Sequence, residues 1–167
     1  ITSNATTISL KWSHSNTQMS KKFRVCYQSE YATDQTCKLT ATNEYRMTLE
    51  NLWPYTNYSI AIDVRPLIYS NQSETGFWSD KYRTGHRTSE DVPVDVPKLL
   101  PGYFTQKSNQ DTIQFYWQPI SRRDRCGVIQ SYRATIIDVV EHGEEENRTV
   151  LSNISPQSLS YGVNLDP

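Results

Sequence analysis

Apolar residues fall at alternate positions in short runs, and the runs come in the same order twice. Thr7 to His14 places Ile8, Leu10 and Trp12 on one side, and Thr112 to Pro119 does the same with Ile113, Phe115 and Trp117. A period of two is the mark of a half-buried β-strand. A second run follows each: Phe23, Val25 and Tyr27 in the first half, then Tyr132, Ala134 and Ile136 in the second. This alternation turns Cys26 away from the predicted core. Further on, Leu52-x-Pro54 leads into a strong strand at Tyr58, Ile60, Ile62 and Val64, and Leu165-x-Pro167 repeats the motif near the end of the chain. The pattern predicts an all-β chain built from two copies of one antiparallel sandwich. The first copy spans 1–90, a Pro-containing linker 91–98, and the second copy 99–167. The first copy starts almost at its second strand and the second stops before its last two strands. The chain is therefore expected to be an excerpt, with Phe115, Trp117 and Tyr132 short of cover.

Composition narrows the partners. The 167 residues carry 17 Lys+Arg against 18 Asp+Glu, a formal net charge of -1. So even a balance argues against DNA or an anionic membrane surface as a bulk electrostatic partner. No window approaches the roughly 20 apolar residues of a membrane span, so any anchor is expected to lie in a segment outside this chain. Four Trp and 11 Tyr supply large half-buried surfaces suited to small β-domains. Pro93, Pro97 and Pro101 fix backbone angles between the copies, which predicts a stiff linker and a defined angle between them.

The cysteines and asparagines point to an oxidising, secretory compartment. Cys26 and Cys37 flank a polar connection and suit neighbouring antiparallel strands, where a disulfide would add somewhat under 3 kcal/mol in the loop-entropy account. Cys126 is left over, which means an intermolecular bond, a free thiol or a partner elsewhere. Acceptor triplets for N-glycans occur at Asn4, Asn57, Asn71, Asn147 and Asn153.

Catalytic chemistry is missing from the pattern. His14, His86 and His142 sit on three separate predicted loops without metal-ligand spacing, and His142 to Asn147 reads as a charged turn. Ser121 to Cys126 is the most basic stretch, but it is short and faces no aromatic platform for stacking bases, so no nucleic acid is expected. With no nucleophile–base pair and no phosphate loop, the chain is read as a binding or spacing module: no enzyme, no cofactor and no metal.

The Leu-x-Pro-Tyr-Thr-x-Tyr motif at Leu52 to Tyr58, running into that strand, resembles the fibronectin type III fold, an immunoglobulin-like sandwich. The resemblance implies a tyrosine corner at Tyr58, with its ring in the core and its hydroxyl returned to backbone. Gly76-Phe77-Trp78-Ser79-Asp80 in turn is similar to the Trp-Ser box of class I cytokine receptors, in the form carried by the common signal-transducing chain of the interleukin-six family. Lys81 and Tyr82 replace the second Trp-Ser. In that family the Trp stacks between arginines of the adjacent strand. Ala61 and Asp63 take the places where two of them are expected, leaving Arg65 nearby and Lys81, Arg83 and Arg87 as substitutes. The divergence resembles an invertebrate member.

The resemblance implies the ectodomain of a cell-surface, type I membrane receptor that binds a four-helix cytokine, dimerises and signals through Janus kinase and STAT proteins. Family ligand contacts would fall on the loops His14 to Lys22 and Leu67 to Thr75, with Ile68 and Tyr69 as the leading residues and Met19 with Lys21 and Lys22 as a second patch. The alternatives are an adhesion or receptor-phosphatase ectodomain built from the same modules, or a soluble decoy receptor.

Overall fold

A computed structural model describes residues 1–15, 18–70, 73–106, 112–139 and 145–164; within these, only the backbone is described for 68–75, 101–113, 138–149 and 163–164. His142 lies outside the described residues. The chain divides into two compact units, Ile1–Val92 and Pro93–Pro167.

The first unit is a two-sheet sandwich. Strands β1 (Thr2–Ser3), β2 (Ile8–Lys11) and β5 (Arg46–Leu49) form one sheet, and β4 (Thr36–Leu39), β3 (Lys21–Ser29), β6 (Asn57–Pro66) and β9 (Tyr82–Arg87) form the other, in the orders given. The hairpin β7 (Ile68–Ser70) and β8 (Ser73–Thr75) follows β6. The described pairs are all antiparallel. Alternation decides the faces: Ile8 and Leu10 from one sheet meet Val25, Tyr58 and Ile60 from the other, with Leu49 and Leu52, in a buried core flanked by Trp12, Tyr27, Met47 and Ile62. Each such aliphatic side chain stabilises the fold by roughly 1.5–3 kcal/mol when fully buried.

The corner before β6 is tied by polar side chains. The Tyr58 ring is buried and its hydroxyl accepts a 2.8 Å hydrogen bond from the Trp53 backbone N–H. Thr56 and Thr88, both buried, close the same corner: the Thr56 N–H donates to Thr88 Oγ1 at 3.0 Å, and Thr88 Oγ1 donates to the Trp53 carbonyl at 2.6 Å. These bonds satisfy groups that would each cost about 1–3 kcal/mol if left unpaired. Tyr55 (φ 46°) makes the turn between them.

Cys26 and Cys37 are directly opposite on β3 and β4 and form a disulfide. Cys26 faces away from Val25 and the core, yet it is only 1 % exposed, and its other cross-strand neighbour, Ala61, is buried too. Facing outward therefore does not mean facing solvent at this level of the sheet. A second correction concerns two histidines expected on solvated loops. His86 is on β9, with Nε2 2.9 Å from Ser3 Oγ, and His14 is half-buried with its ring edge-on to Phe23.

The second unit has a three-stranded sheet of β10 (Lys98–Gln106), β11 (Thr112–Gln118) and β14 (Ser160–Asn164), and a pair β12 (Tyr132–Val139) with β13 (Glu145–Ile154). The β10 ladder slips between Leu99 and Phe104, a stretch containing Pro101, which has no N–H to donate. Trp117 and Ile154 are buried, and Trp117 meets Tyr132 edge-on with ring centroids 6.0 Å apart. The basic stretch from Ser121 is a self-capped turn: Ser121 Oγ donates to the Asp124 carboxylate at 2.6 Å and Arg125 Nε donates to the Ile120 carbonyl at 2.8 Å. Cys126 is buried, outside any disulfide and in a left-handed conformation (φ 53°), with Sγ 3.9 Å from the Arg123 carbonyl oxygen.

Candidate functional site

The outer face of the four-stranded sheet carries the polar positions of β3, β6 and β9. Register sets Lys22 opposite Arg65, Arg24 opposite Asp63, Cys26 opposite Ala61, and Ala61 in turn opposite Arg83. Asp63 is 4 % exposed, a position that needs a cationic partner. Arg24 supplies it through a two-pronged pair: Nε donates to Oδ1 at 3.1 Å and the terminal nitrogen to Oδ2. By accepting these bonds Asp63 holds the Arg24 guanidinium above its ordinary range, against an opposing pull from burial.

The segment between β8 and β9 is hydrogen-bonded to β6 at Val64. The Ser79 N–H donates to the Val64 carbonyl at 2.9 Å, and the Val64 N–H donates to Ser79 Oγ at 3.1 Å, while that hydroxyl donates to the Asp80 carbonyl at 2.9 Å. A serine side chain thus completes the ladder where strand pairing has lapsed. Gly76 makes the approach possible. Its φ is 136°, and a Cβ there would come within 2.4 Å of the Pro66 carbonyl oxygen.

Between these two fastenings lies Trp78, half-buried, with the Arg24 guanidinium 4.4 Å and the Arg65 guanidinium 5.1 Å from its ring centroid. Both distances are within cation–π range. Arg65 is where the sequence pointed; Arg24, on β3, is not among the cations the sequence suggested, which lie on β6, on β9 and just before it. The overlooked signal was alternation: Arg24 is two residues from Cys26 and shares its outward face. Lys81 and Arg83 are exposed, and among the described residues the cations over the Trp78 ring are Arg24 and Arg65. Arg87 lies instead over Tyr55, at 4.9 Å.

The expected ligand patches fare unevenly. Ile68 and Tyr69 are on β7, paired with Thr75 and Glu74, and their side chains lie outside the described residues, as does Asn71. Met19 is 44 % exposed. Lys21 is a correction: it is 3 % exposed, the first residue of β3, with Nζ 3.3 Å from His14 Nδ1, so it is not presented to a partner. The β3 alternation that buries Phe23 and Val25 buries Lys21 with them. Beside this point a groove of about 460 Å³ is lined by Trp12, His14, Phe23, Ile62, Val64 and Tyr82. Phe77 is 94 % exposed.

Of the glycan acceptors, Asn4 Oδ1 accepts from the N–H groups of Thr6 and Thr7, at 2.9 and 2.7 Å. The Asn57 amide bridges Glu30 and Arg87, and Asn153 is exposed in a left-handed conformation. The Asn147 side chain is outside the described residues. Among the described residues no group of three or more His, Cys, Asp or Glu is placed to hold a metal ion, and no helix is long and apolar enough to cross a membrane.

Comparison with solved structures gives a likeness to the crystal structure of the FN1–FN3 domains of chicken CNTN1, at 18 % identity and a TM-score of 0.56 over 98 % of this chain. The chain spans about half, 52 %, of that structure's length. No curated protein sequence matches. The family model for the fibronectin type III domain matches residues 1–84. With the paired sheets, the tyrosine corner and this match over half its residues, the chain belongs to the fibronectin type III family.

Proposed function

We propose that the chain is part of the extracellular region of a cell-surface class I cytokine receptor, one that binds a four-helix cytokine and signals through a Janus kinase and STAT proteins. The observation that carries this reading is the Trp78 stack: a Gly-aromatic-Trp-Ser segment whose serine is bonded to β6 at Val64 and whose indole has the Arg24 and Arg65 guanidinium groups within cation–π reach. The tandem sandwich alone suits an adhesion or receptor-phosphatase ectodomain equally well, and a soluble decoy would carry the same clasp. The Cys26–Cys37 disulfide supports an extracellular setting for all three.

On this reading the hairpin β7–β8 contributes to the ligand surface through Ile68 and Tyr69, with Met19 nearby in sequence to the start of β3. Receptor dimerisation and N-glycans belong to the same reading. The test is STAT activation in cells displaying the full-length receptor, wild type against Tyr69→Ala, under stimulation by helical cytokines. Loss of activation at unchanged surface display is the expected result. A receptor that responds but ignores Tyr69→Ala would discard the contact and keep the class; silence toward every helical cytokine would overturn the class.

A further inference from the structure

The balanced charge of the whole chain conceals an uneven distribution. Register places Lys22, Arg24, Arg65, Arg83 and Arg87 all on the outer face of β3, β6 and β9; among the described residues the carboxylates bonded within it are Asp63, buried against Arg24, and Glu30, which accepts from the Asn57 amide at the Arg87 end. From the Lys22–Arg65 row to the Asn57–Arg87 row is eight residues of β6, about 26 Å at the usual rise. Lys81 adds an exposed ammonium just before β9.

Two of these cations are held in place. Arg24 is fixed by Asp63 and by Trp78; Arg87 is fixed by a 2.9 Å bond from Nε to Asn57 Oδ1 and by its seat over Tyr55. Arg83 and Lys81 are exposed and make no hydrogen bond or ion pair among the described residues. Cations that are positioned by their neighbours lose little freedom when an anion arrives, and closely spaced like charges gain from sharing one.

We propose that this face binds a sulfated polysaccharide, laid along the stripe with its sulfate groups against Arg83, Arg87 and Lys81. Three features favour that class of polyanion. The length calls for a chain rather than a single anion. The disulfide belongs to an oxidising compartment, where sulfated polysaccharides are the abundant polyanions. The Trp78 ring already has two guanidinium groups within cation–π reach, which makes it a poor platform for stacking nucleic-acid bases. The inference is independent of the cytokine reading, since it needs only the sheet face.

The experiment measures binding of the 167-residue chain to a heparin-derived dodecasaccharide and to the same oligosaccharide with its sulfates removed, across a series of salt concentrations. Lys81→Ser/Arg83→Ser is compared with Arg122→Ser/Arg123→Ser, which removes two cations from the self-capped turn of the second unit. Expected are binding that needs sulfate, a salt slope shallower by about two in the Lys81/Arg83 variant with affinity lowered about tenfold or more, and no such change in the Arg122/Arg123 variant. Because Lys81 and Arg83 are exposed, unchanged thermal unfolding checks that the face is intact. Absence of binding near physiological salt, equal binding of the desulfated chain, or a Lys81/Arg83 variant that matches wild type would overturn the proposal.

Discussion

Arg24 does two things at once, and the cost of removing it shows how they are joined. Arg24→Ala would strand the Asp63 carboxylate in a buried position and take one wall from the Trp78 stack. Breaking a fully buried pair costs about 3–5 kcal/mol. The Arg24 side chain is 30 % exposed, so solvent screening brings the expected loss to about 2–3 kcal/mol, measured by urea unfolding. Arg24→Lys should recover only part of it, since an ammonium cannot present a two-pronged fork. The raised pKa of Arg24 gives the sign of any pH effect: its contribution is complete below the unfolded value and lost only as pH climbs through the folded one, far into alkali. At this scale the sequence was legible where a residue's role depends on its own strand. Trp78, Tyr58 and the Cys26–Cys37 pair follow from alternation and motif. Arg24 and Lys21 did not, because their roles depend on which strand lies beside β3 and on which face the pleat assigns to its first residue, and neither is a local property.

Among the elements, β6 is the one on which the others converge. It pairs with β3 on one side and β9 on the other, and its backbone at Val64 holds the segment that carries Trp78. The close approach depends on Gly76. Gly76→Ala would place a methyl against the Pro66 carbonyl oxygen and force a non-glycine residue to φ 136°. We expect a loss of at least about 2 kcal/mol and a measurable fall in the melting temperature, with Phe77→Ala, an exposed neighbour, as a near-neutral control. The main strands were readable from period two; their pairing came only with the resemblance to the fibronectin type III fold, and the interruption after β8 was readable only as a motif. Nothing in the alternation says that a serine hydroxyl will stand in for a ladder hydrogen bond, because that substitution satisfies a backbone group whose partner is set by the tertiary fold.

For the molecule as a whole, the first unit contains every partner named for its core, its disulfide, its tyrosine corner and its stacked tryptophan within Ile1–Val92. Residues 1–92 produced alone should therefore fold, with the disulfide formed and a single cooperative unfolding transition by circular dichroism; a broad, non-cooperative melt would contradict this. The stack around Trp78 has a consequence in time as well as in energy. It joins positions 24, 65 and 78, so it is complete only where β3 is paired with β6 and the segment after β8 lies against them, and we expect it to be completed late in folding. Contacts assembled that late are largely absent from the folding transition state. Trp78→Ala is then expected to leave the folding rate almost unchanged and to quicken unfolding, by about thirtyfold for a loss of about 2 kcal/mol. The clasp is in this sense a latch: it governs how long the folded module lasts between openings, and hence its lifetime among extracellular proteases, rather than how fast it forms.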